Sequence, residues 1–188
     1  DLKVSNIKIS VLIGDIALQA CDAIVNTANI YLREGSGVCG AIFRSAGTEL
    51  KPACDKQLLH LGRNLSPSEA VITRGYNLPA KYIIHSVSPR CMFQWNEKIE
   101  ALIHKTYQTI FNLAEEENIQ SIAIPALGIG HHYCDMERCA SIAIEEFMKY
   151  SEQPNQVLKK VIFVLSDETI YEKYIVELEK HVIRHPKE

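Results

Sequence analysis

The sequence lacks the features that would assign it to several specialised classes of protein. Its 188 residues include 20 Lys and Arg against 23 Asp and Glu, and the net charge of −3 argues against a nucleic-acid partner. No apolar run approaches the roughly 20 residues of a membrane span, and the chain does not open on a basic segment followed by an apolar one. We therefore expect a cytoplasmic or nuclear protein without membrane attachment.

Cysteine is too sparse for a disulfide scaffold. Six cysteines are spread along a chain long enough to build its own core: Cys21, Cys39, Cys54, Cys91, Cys134 and Cys139. We interpret them as thiols in a reducing compartment. The run from His131 to Cys134 has no second ligand pair such as C-x-x-C, so we expect neither a metal site nor a bound cofactor.

Hydrophobic periodicity predicts strands that alternate with helices. The predicted strands cover 7–13, 23–25, 71–73, 82–86, 122–124 and 161–165. The predicted helices cover 38–46, 96–117, 136–147 and 171–178, with Asp135 capping the third and Asp167 or Thr169 the fourth. The short turn-rich connection before residue 82 favours one antiparallel pair. Together these elements predict one α/β domain with a mixed sheet covered by helices on both faces.

Two glycine-bearing segments follow strands of this predicted sheet. Gly35–Gly40 and Gly128–Gly130 each lead from a strand towards a helix. A helix start presents unpaired N–H groups and a positive dipole end, and glycine lets a phosphate approach the main chain. Since ligands of such sheets bind beyond the carboxyl ends of the strands, the two loops predict a site for a pyrophosphate-containing ligand.

Other interpretations of these residues stay open. Gly35–Gly40 formally matches G-x-G-x-x-G, but residues 26–34 separate it from its strand and the acidic candidate Asp55 falls in a helix-like segment, which disfavours nicotinamide or flavin binding. Either loop taken alone is explained by turn formation. Cys39 at a helix start is a candidate nucleophile. No histidine is placed beside it by sequence, and buried cysteine is usually inert.

Several motifs together resemble the macrodomain family of ADP-ribose-binding modules. They are Gly14-Asp15-Ile16, the run from Asp22 to Asn29, the glycine loop that continues into Ala41–Gly47, and the later run from Ile124 to Gly130. The resemblance extends from residue 7 to residue 178. It implies a three-layer α/β/α fold with a mixed central sheet, formed by residues 1–188 as a single domain, and leaves open whether that domain is a module of a longer protein.

The resemblance also assigns roles by position. Asp15 and the Ile16 backbone are implied to bind adenine, although Asp15 has the alternative role of capping a turn. Asn29 is implied to contact the distal ribose, whereas Asn26 is interpreted as structural. The two loops are implied to bind the diphosphate and distal ribose through Ala28, Gly35, Ser36, Gly37, Val38, Cys39, Ala126, Leu127, Gly128, Ile129, Gly130 and His131. His132 is implied to form a wall of the distal-ribose pocket.

Some positions depart from the family pattern. Ser36 replaces a usual glycine, and Tyr133 stands where another glycine is common, which favours a different conformation of the second loop. Ser166 falls where many members place an aromatic against adenine. Cys39 replaces an aspartate that assists water in one hydrolase branch, although some viral hydrolases also carry Cys or Ala there. Glu34 would oppose a diphosphate unless its carboxylate points outward.

The function implied by the resemblance is hydrolysis of mono-ADP-ribose from protein side chains, acidic ones foremost. The catalytic candidates are Asn29, Cys39 and His132, and the expected partners of the monomeric domain are ADP-ribose and mono-ADP-ribosylated proteins. Three alternatives stay open: a reader that binds modified proteins without cleaving them, an O-acetyl-ADP-ribose deacetylase, and a scaffold whose cleft no longer binds a nucleotide.

Overall fold

The computed structural model describes residues 1–184 and contains seven strands and five helices in that range. The strands are β1 (Leu2–Val4), β2 (Ile7–Ile13), β3 (Ala23–Thr27), β4 (Ala70–Arg74), β5 (Tyr82–Ser86), β6 (Ser121–Ile124) and β7 (Lys160–Leu165). The helices are α1 (Gly37–Ala46), α2 (Leu50–Leu61), α3 (Glu97–Glu116), α4 (Met136–Ser151) and α5 (Glu168–Arg184). A 3₁₀ turn, Ile16–Leu18, follows β2. Every helix within residues 1–184 is too short or too polar to span a membrane.

All seven strands form one mixed sheet in the order β1-β2-β7-β6-β3-β5-β4. The five inner strands are parallel, and the edge strands β1 and β4 are antiparallel to their neighbours. The predicted antiparallel pairing of β4 with β5 is confirmed. Because β6 and β3 are adjacent and parallel, the loops that follow them leave the sheet side by side at one edge.

The central strands are buried on both faces, as parallel strands covered by helices usually are. In β3, Ala23 and Val25 pack into the core beneath α3, α4 and α5, whereas Ile24 packs into the core beneath α1 and α2. Strands β6 and β7 alternate in the same way. The predicted three-layer α/β/α architecture is therefore confirmed.

Hydrogen bonds in the structure confirm the predicted caps of α4 and α5. The Asp135 carboxylate accepts a hydrogen bond from Arg138 N at 2.9 Å at the start of α4. Asp167 rather than Thr169 caps α5, accepting from Ile170 N at 3.0 Å. The sequence does not predict β1, which has only three residues, and it indicates α2 only as a helix-like segment, because α2 buries few apolar side chains.

The interpretation of all six cysteines as free thiols is wrong for one pair. Cys91, in the loop after β5, and Cys134, in the loop after β6, form a disulfide. The other four cysteines are free and buried. A separation of 43 residues carries no signal of pairing in the sequence, and the two loops meet only because β5 and β6 flank β3 in the sheet.

Candidate functional site

A cleft of about 610 Å³ opens at the carboxyl ends of β3, β6 and β7. Its size is that of an ordinary small-molecule site. Most of the predicted binding residues line it: Ala28, Asn29, Gly35, Ser36, Gly37, Val38, Cys39, Ala126, Gly128, Ile129, Gly130, His131, His132 and Ser166. The three catalytic candidates, Asn29, Cys39 and His132, are thus brought into one cleft.

Three predicted binding residues do not line the cleft. The Leu127 side chain is fully buried in the core, which its apolar character favours over a ligand contact. Ile16 is also buried, so that only its backbone could meet a ligand. Asp15 is exposed beyond the adenine end implied for the cleft, and its Oδ1 accepts from Ala17 N at 2.8 Å. The alternative role of Asp15 as a turn cap is therefore present in the structure.

The first glycine loop runs directly into α1. Ser36 occupies the N-cap position, but its hydroxyl makes no capping hydrogen bond, and Gly37 begins the helix with a φ of 57°. That left-handed conformation favours glycine. The first N–H groups of α1 have no partner within the helix, so they face the cleft together with the positive end of the helix dipole.

The Asn29 side chain holds the segment that leads into this loop. Its Oδ1 accepts from Tyr31 N at 3.1 Å and from Arg33 N at 3.2 Å, and its Nδ2 donates to Arg33 O at 2.8 Å. An amide nitrogen carries two hydrogens, so one N–H of Asn29 is left to donate into the cleft. Asn29 therefore combines a structural role with a free donor.

A buried polar network lies behind the first loop. Asn26 Nδ2 is 3.1 Å from His85 Nδ1 and 3.7 Å from Cys39 Sγ, and His85 Nε2 is 2.9 Å from Thr73 Oγ1. Burial lowers the pKa of His85 to about 3, so its imidazole is neutral. Asn26 does not line the cleft, in agreement with its interpretation as a structural residue.

The second glycine loop is separated by five residues from the helix that follows it, as the predicted start of that helix at residue 136 requires. Gly128 and Gly130 have φ values of 80° and 79°, but α4 begins only at Met136. The Asp135 carboxylate already occupies the start of that helix. The start of α5 also borders the cleft, but the Asp167 carboxylate caps it. Among the described helices that border the cleft, α1 alone therefore begins without a capping side chain and can bind an anion, and the second loop contributes the backbone of a turn.

Backbone hydrogen bonds and the disulfide hold the second loop in place. Cys134 N donates to Gly128 O at 3.1 Å, and Cys91 N donates to His132 O at 2.9 Å. A Cβ at Gly128 would lie 3.4 Å from Cys134 Sγ, so the disulfide packs against the loop backbone. Tyr133 has a φ of 52°, and this residue thus adopts the left-handed conformation that favours the glycine it replaces.

Burial sets the charge state of the two titratable catalytic candidates. It raises the pKa of the Cys39 thiol, which disfavours the thiolate and with it the nucleophile alternative. Burial, with the nearby Arg90 cation as a smaller cause, lowers the pKa of His132. Its imidazole is therefore neutral at pH 7.

Glu34 does not line the cleft. Its Oε1 lies 3.8 Å from Arg44 Nη1, and both side chains are exposed. The carboxylate thus points towards α1 and outward, which removes the conflict with a diphosphate that its position in the sequence suggested.

Some residues that line the cleft are not among the predicted ones. Ser88 is 4% exposed, and its hydroxyl has no hydrogen-bond partner among the described residues. It lies two residues after β5, so its place at the carboxyl end of that strand follows from the predicted strand, whereas the pairing of β5 with β3 does not. The others are Thr27, Pro125, Met136, Val164, Asp167 and Ile170, which surround the predicted residues.

The family model described as Macro domain matches residues 25–143 of the chain, which include both glycine loops. The chain belongs to the macrodomain family. It is 42% identical over 167 residues to an O-acetyl-ADP-ribose deacetylase of Citrobacter rodentium, covering 87% of this chain and 90% of that protein. It is 36% identical over 170 residues to the ADP-ribose glycohydrolase MACROD2 of Mus musculus, covering 89% of this chain but 34% of that protein.

A solved structure shares the fold of this macrodomain over nearly its whole length. The Oceanobacillus iheyensis macrodomain with ADP superposes with a TM-score of 0.84 at 32% identity, covering 92% of this chain and 90% of that one. The recognition of the family from its glycine loops and flanking motifs is therefore confirmed. The roles of individual site residues stay predictions.

Proposed function

We propose that this macrodomain binds ADP-ribose in its cleft and hydrolyses mono-ADP-ribose from acidic protein side chains. The observation that carries the proposal is the position of the two glycine loops, which follow adjacent parallel strands and line one cleft. Relatives named as an O-acetyl-ADP-ribose deacetylase and an ADP-ribose glycohydrolase support the substrate class.

The main chain carries most of the proposed diphosphate binding. No Lys or Arg side chain is among the described residues that line the cleft. The negative charge of a diphosphate must therefore be met by the N–H groups at the start of α1 and in the Gly128–Gly130 turn. Glycines in both loops leave these N–H groups uncovered, which supports a phosphate in preference to an apolar ligand.

The end of the cleft that we assign to adenine has apolar walls, and the Asp15 carboxylate lies just beyond it. Gly14 N donates to Leu165 O at 3.0 Å, so the end of β2, with Asp15, lies beside the end of β7, with Ser166. Oδ2 of Asp15 can accept from the exocyclic amine of adenine while Oδ1 keeps its turn. Val164 and Ile170 supply apolar surface beside Ser166, in place of an aromatic ring.

The chemistry of the site suits an ester in which a carboxylate leaves. Water attacks the anomeric carbon of the distal ribose, the bond to the side-chain carboxylate oxygen breaks with its electron pair, and the water proton passes to a phosphate oxygen of the substrate. A carboxylate leaves as a stable anion and needs no general acid, because its pKa is about 4. The cleft holds a protonated Cys39 and a neutral His132 beside the ribose, and the free N–H of Asn29 orients the ribose or the water.

O-acetyl-ADP-ribose deacetylation is the second candidate, favoured by the 42% identical relative of that name. It shares the ADP-ribose cleft and also hydrolyses an ester, although it breaks a different bond. Incubation with an ester-linked mono-ADP-ribosylated protein and, in parallel, with O-acetyl-ADP-ribose separates the two, with the products weighed by mass spectrometry. Release of ADP-ribose from the protein no faster than by an Asn29→Ala variant would refute the hydrolase.

A further inference from the structure

An exposed aromatic patch stands beside the cleft. It consists of Met92, Phe93 and Tyr133, which are 54%, 82% and 42% exposed. The rings of Phe93 and Tyr133 stack with their centroids 4.5 Å apart, although the two residues belong to different loops. Adjoining apolar side chains are costly to leave exposed to water, and contiguous exposed patches on single domains often mark interaction sites.

The backbone of the patch is fixed. Met92, Phe93 and Tyr133 all have left-handed φ values, 49°, 65° and 52°, which non-glycine residues adopt only where the surroundings hold them. Phe93 N donates to Tyr133 O at 3.1 Å, and Met92 N donates to His132 O at 3.1 Å. The Cys91–Cys134 disulfide joins the same two loops. The patch is thus preorganised in its exposed position.

The sheet order fixes which end of the cleft the patch flanks. The carboxyl ends follow each other as β2, β7, β6, β3 and β5, which carry Asp15, Ser166, Ala126, Ala28 and Ser88 in turn. At the usual strand spacing these five ends span roughly 19 Å. The patch is built from the loops after β5 and β6, so it lies away from Asp15 and continues the wall formed by His131 and His132.

We propose that this patch docks the polypeptide that carries the ADP-ribose, by contacting residues that flank the modified side chain. The inference rests on the binding orientation of the proposed function. With adenine at the β2 end, the anomeric carbon and the polypeptide attached to it face the β3 and β5 end. Stacked rings offer a flat apolar surface to aliphatic or aromatic neighbours of the modified residue. The exposed Arg90 adds a cation for flanking carboxylates.

Calorimetric titration of two ligands tests the docking surface. One is free ADP-ribose, and the other is a peptide that carries ADP-ribose through a stable linkage, flanked by leucines or, in a second version, by glycines. The wild-type protein is expected to bind the leucine-flanked peptide roughly tenfold more tightly than ADP-ribose, and Phe93→Ala to remove that gain. The affinity of Phe93→Ala for free ADP-ribose should be unchanged.

Leu59→Ala is the matched control, because Leu59 is also 82% exposed but lies on α2. It should leave both affinities unchanged. Equal affinities of the wild-type protein for ADP-ribose and for both peptides would overturn the docking surface, as would an equal loss for all ligands in Phe93→Ala. Failure of the wild-type protein to bind ADP-ribose would instead refute the proposed function, so the two failures are distinguishable.

Discussion

The two glycine loops present their backbone to the same cleft, but different interactions hold them in place. The first is held by the Asn29 amide, by the start of α1 and by the buried network behind Asn26. The second has no helix start and is held by backbone hydrogen bonds and the Cys91–Cys134 disulfide. The comparison shows that a glycine pattern in the sequence indicates a loop that presents its backbone to a ligand, but does not indicate which interactions hold that loop in place. The loops should therefore fail under different conditions.

Asn29→Ala is expected to have the largest effect, because it removes three hydrogen bonds of the first loop together with the free donor. We expect a loss of about 100-fold in hydrolysis, the scale of a small misplacement in an active site. Asn29→Asp keeps the oxygen that accepts from Tyr31 N and Arg33 N, but it replaces Nδ2 by an oxygen that faces Arg33 O and adds a negative charge to the cleft. Single-turnover rates and the affinity for ADP-ribose should be measured for both variants.

The two substitutions divide the two roles of Asn29. If its part in catalysis is the free N–H, both variants lose the rate, although Asn29→Asp retains two of the three loop hydrogen bonds and should lose less free energy of unfolding than Asn29→Ala. If its part is only structural, the loss of rate in each variant should follow its loss of free energy of unfolding. Full activity of Asn29→Ala would show that the first loop does not depend on this amide, and would contradict the difference between the two loops proposed above.

Removal of the disulfide tests the support of the second loop. A double substitution, Cys91→Ser with Cys134→Ser, should lower the free energy of unfolding by roughly 2–4 kcal/mol, since the bond closes a 43-residue separation. Urea denaturation with and without reductant measures it. Reductant should destabilise the wild-type protein and Asn29→Ala equally and leave the double variant unchanged. Cys21→Ser is the control, because Cys21 is a free cysteine.

How far the sequence predicts this molecule depends on the range of the interactions. The parallel strands, the α4 and α5 caps and the lining of the cleft by both loops depend on local patterns and on the rule for ligand position in α/β sheets. The disulfide and the buried Leu127 depend on packing between distant segments. Ser88 lies between these cases, because its position was predictable but its unpartnered hydroxyl was not.

The pH dependence of stability should reveal the network behind the first loop. The pKa of His85 falls from about 6.5 in the unfolded chain to about 3 in the folded one, so falling pH protonates the unfolded chain first. The free energy of unfolding is therefore highest above pH 6.5 and falls as the pH decreases towards 3. At pH 5 the loss that His85 causes is about 2 kcal/mol. His85→Gln should flatten the difference in unfolding free energy between pH 7 and pH 5.

His132 shares the direction of this shift, so acid also weakens the second loop. The pH dependence of the unfolding free energy that remains in His85→Gln measures the contribution of His132 and the carboxylates. An unchanged pH dependence in that variant would contradict a neutral buried His85, and the acid response would no longer separate the two loops.

Alanine substitutions of glycines in the two loops should have smaller effects on stability than the changes above. Gly37 and Gly130 both have left-handed φ values, and a Cβ at either would meet no atom within 4 Å. Alanine should cost about 1 kcal/mol of stability at each from backbone strain. Since the open space belongs to the cleft, the affinity for ADP-ribose should fall further than the strain alone explains. Gly128→Ala should destabilise more, because its Cβ would meet Cys139 Sγ at 3.2 Å.

Glu34→Gln is expected to have the smallest effect and tests the outward orientation of that carboxylate. The pair with Arg44 is exposed, so its loss should change stability by less than about 0.5 kcal/mol. Removing a negative charge near the first loop should raise the affinity for ADP-ribose no more than about twofold at low salt, and screening should erase the gain near 0.15 M. Titrations at two salt concentrations measure it, with Glu49→Gln as the control at the start of α2. A large gain that persists in salt would mean that Glu34 turns inward to the diphosphate, and the first loop would then carry a cost that the second does not.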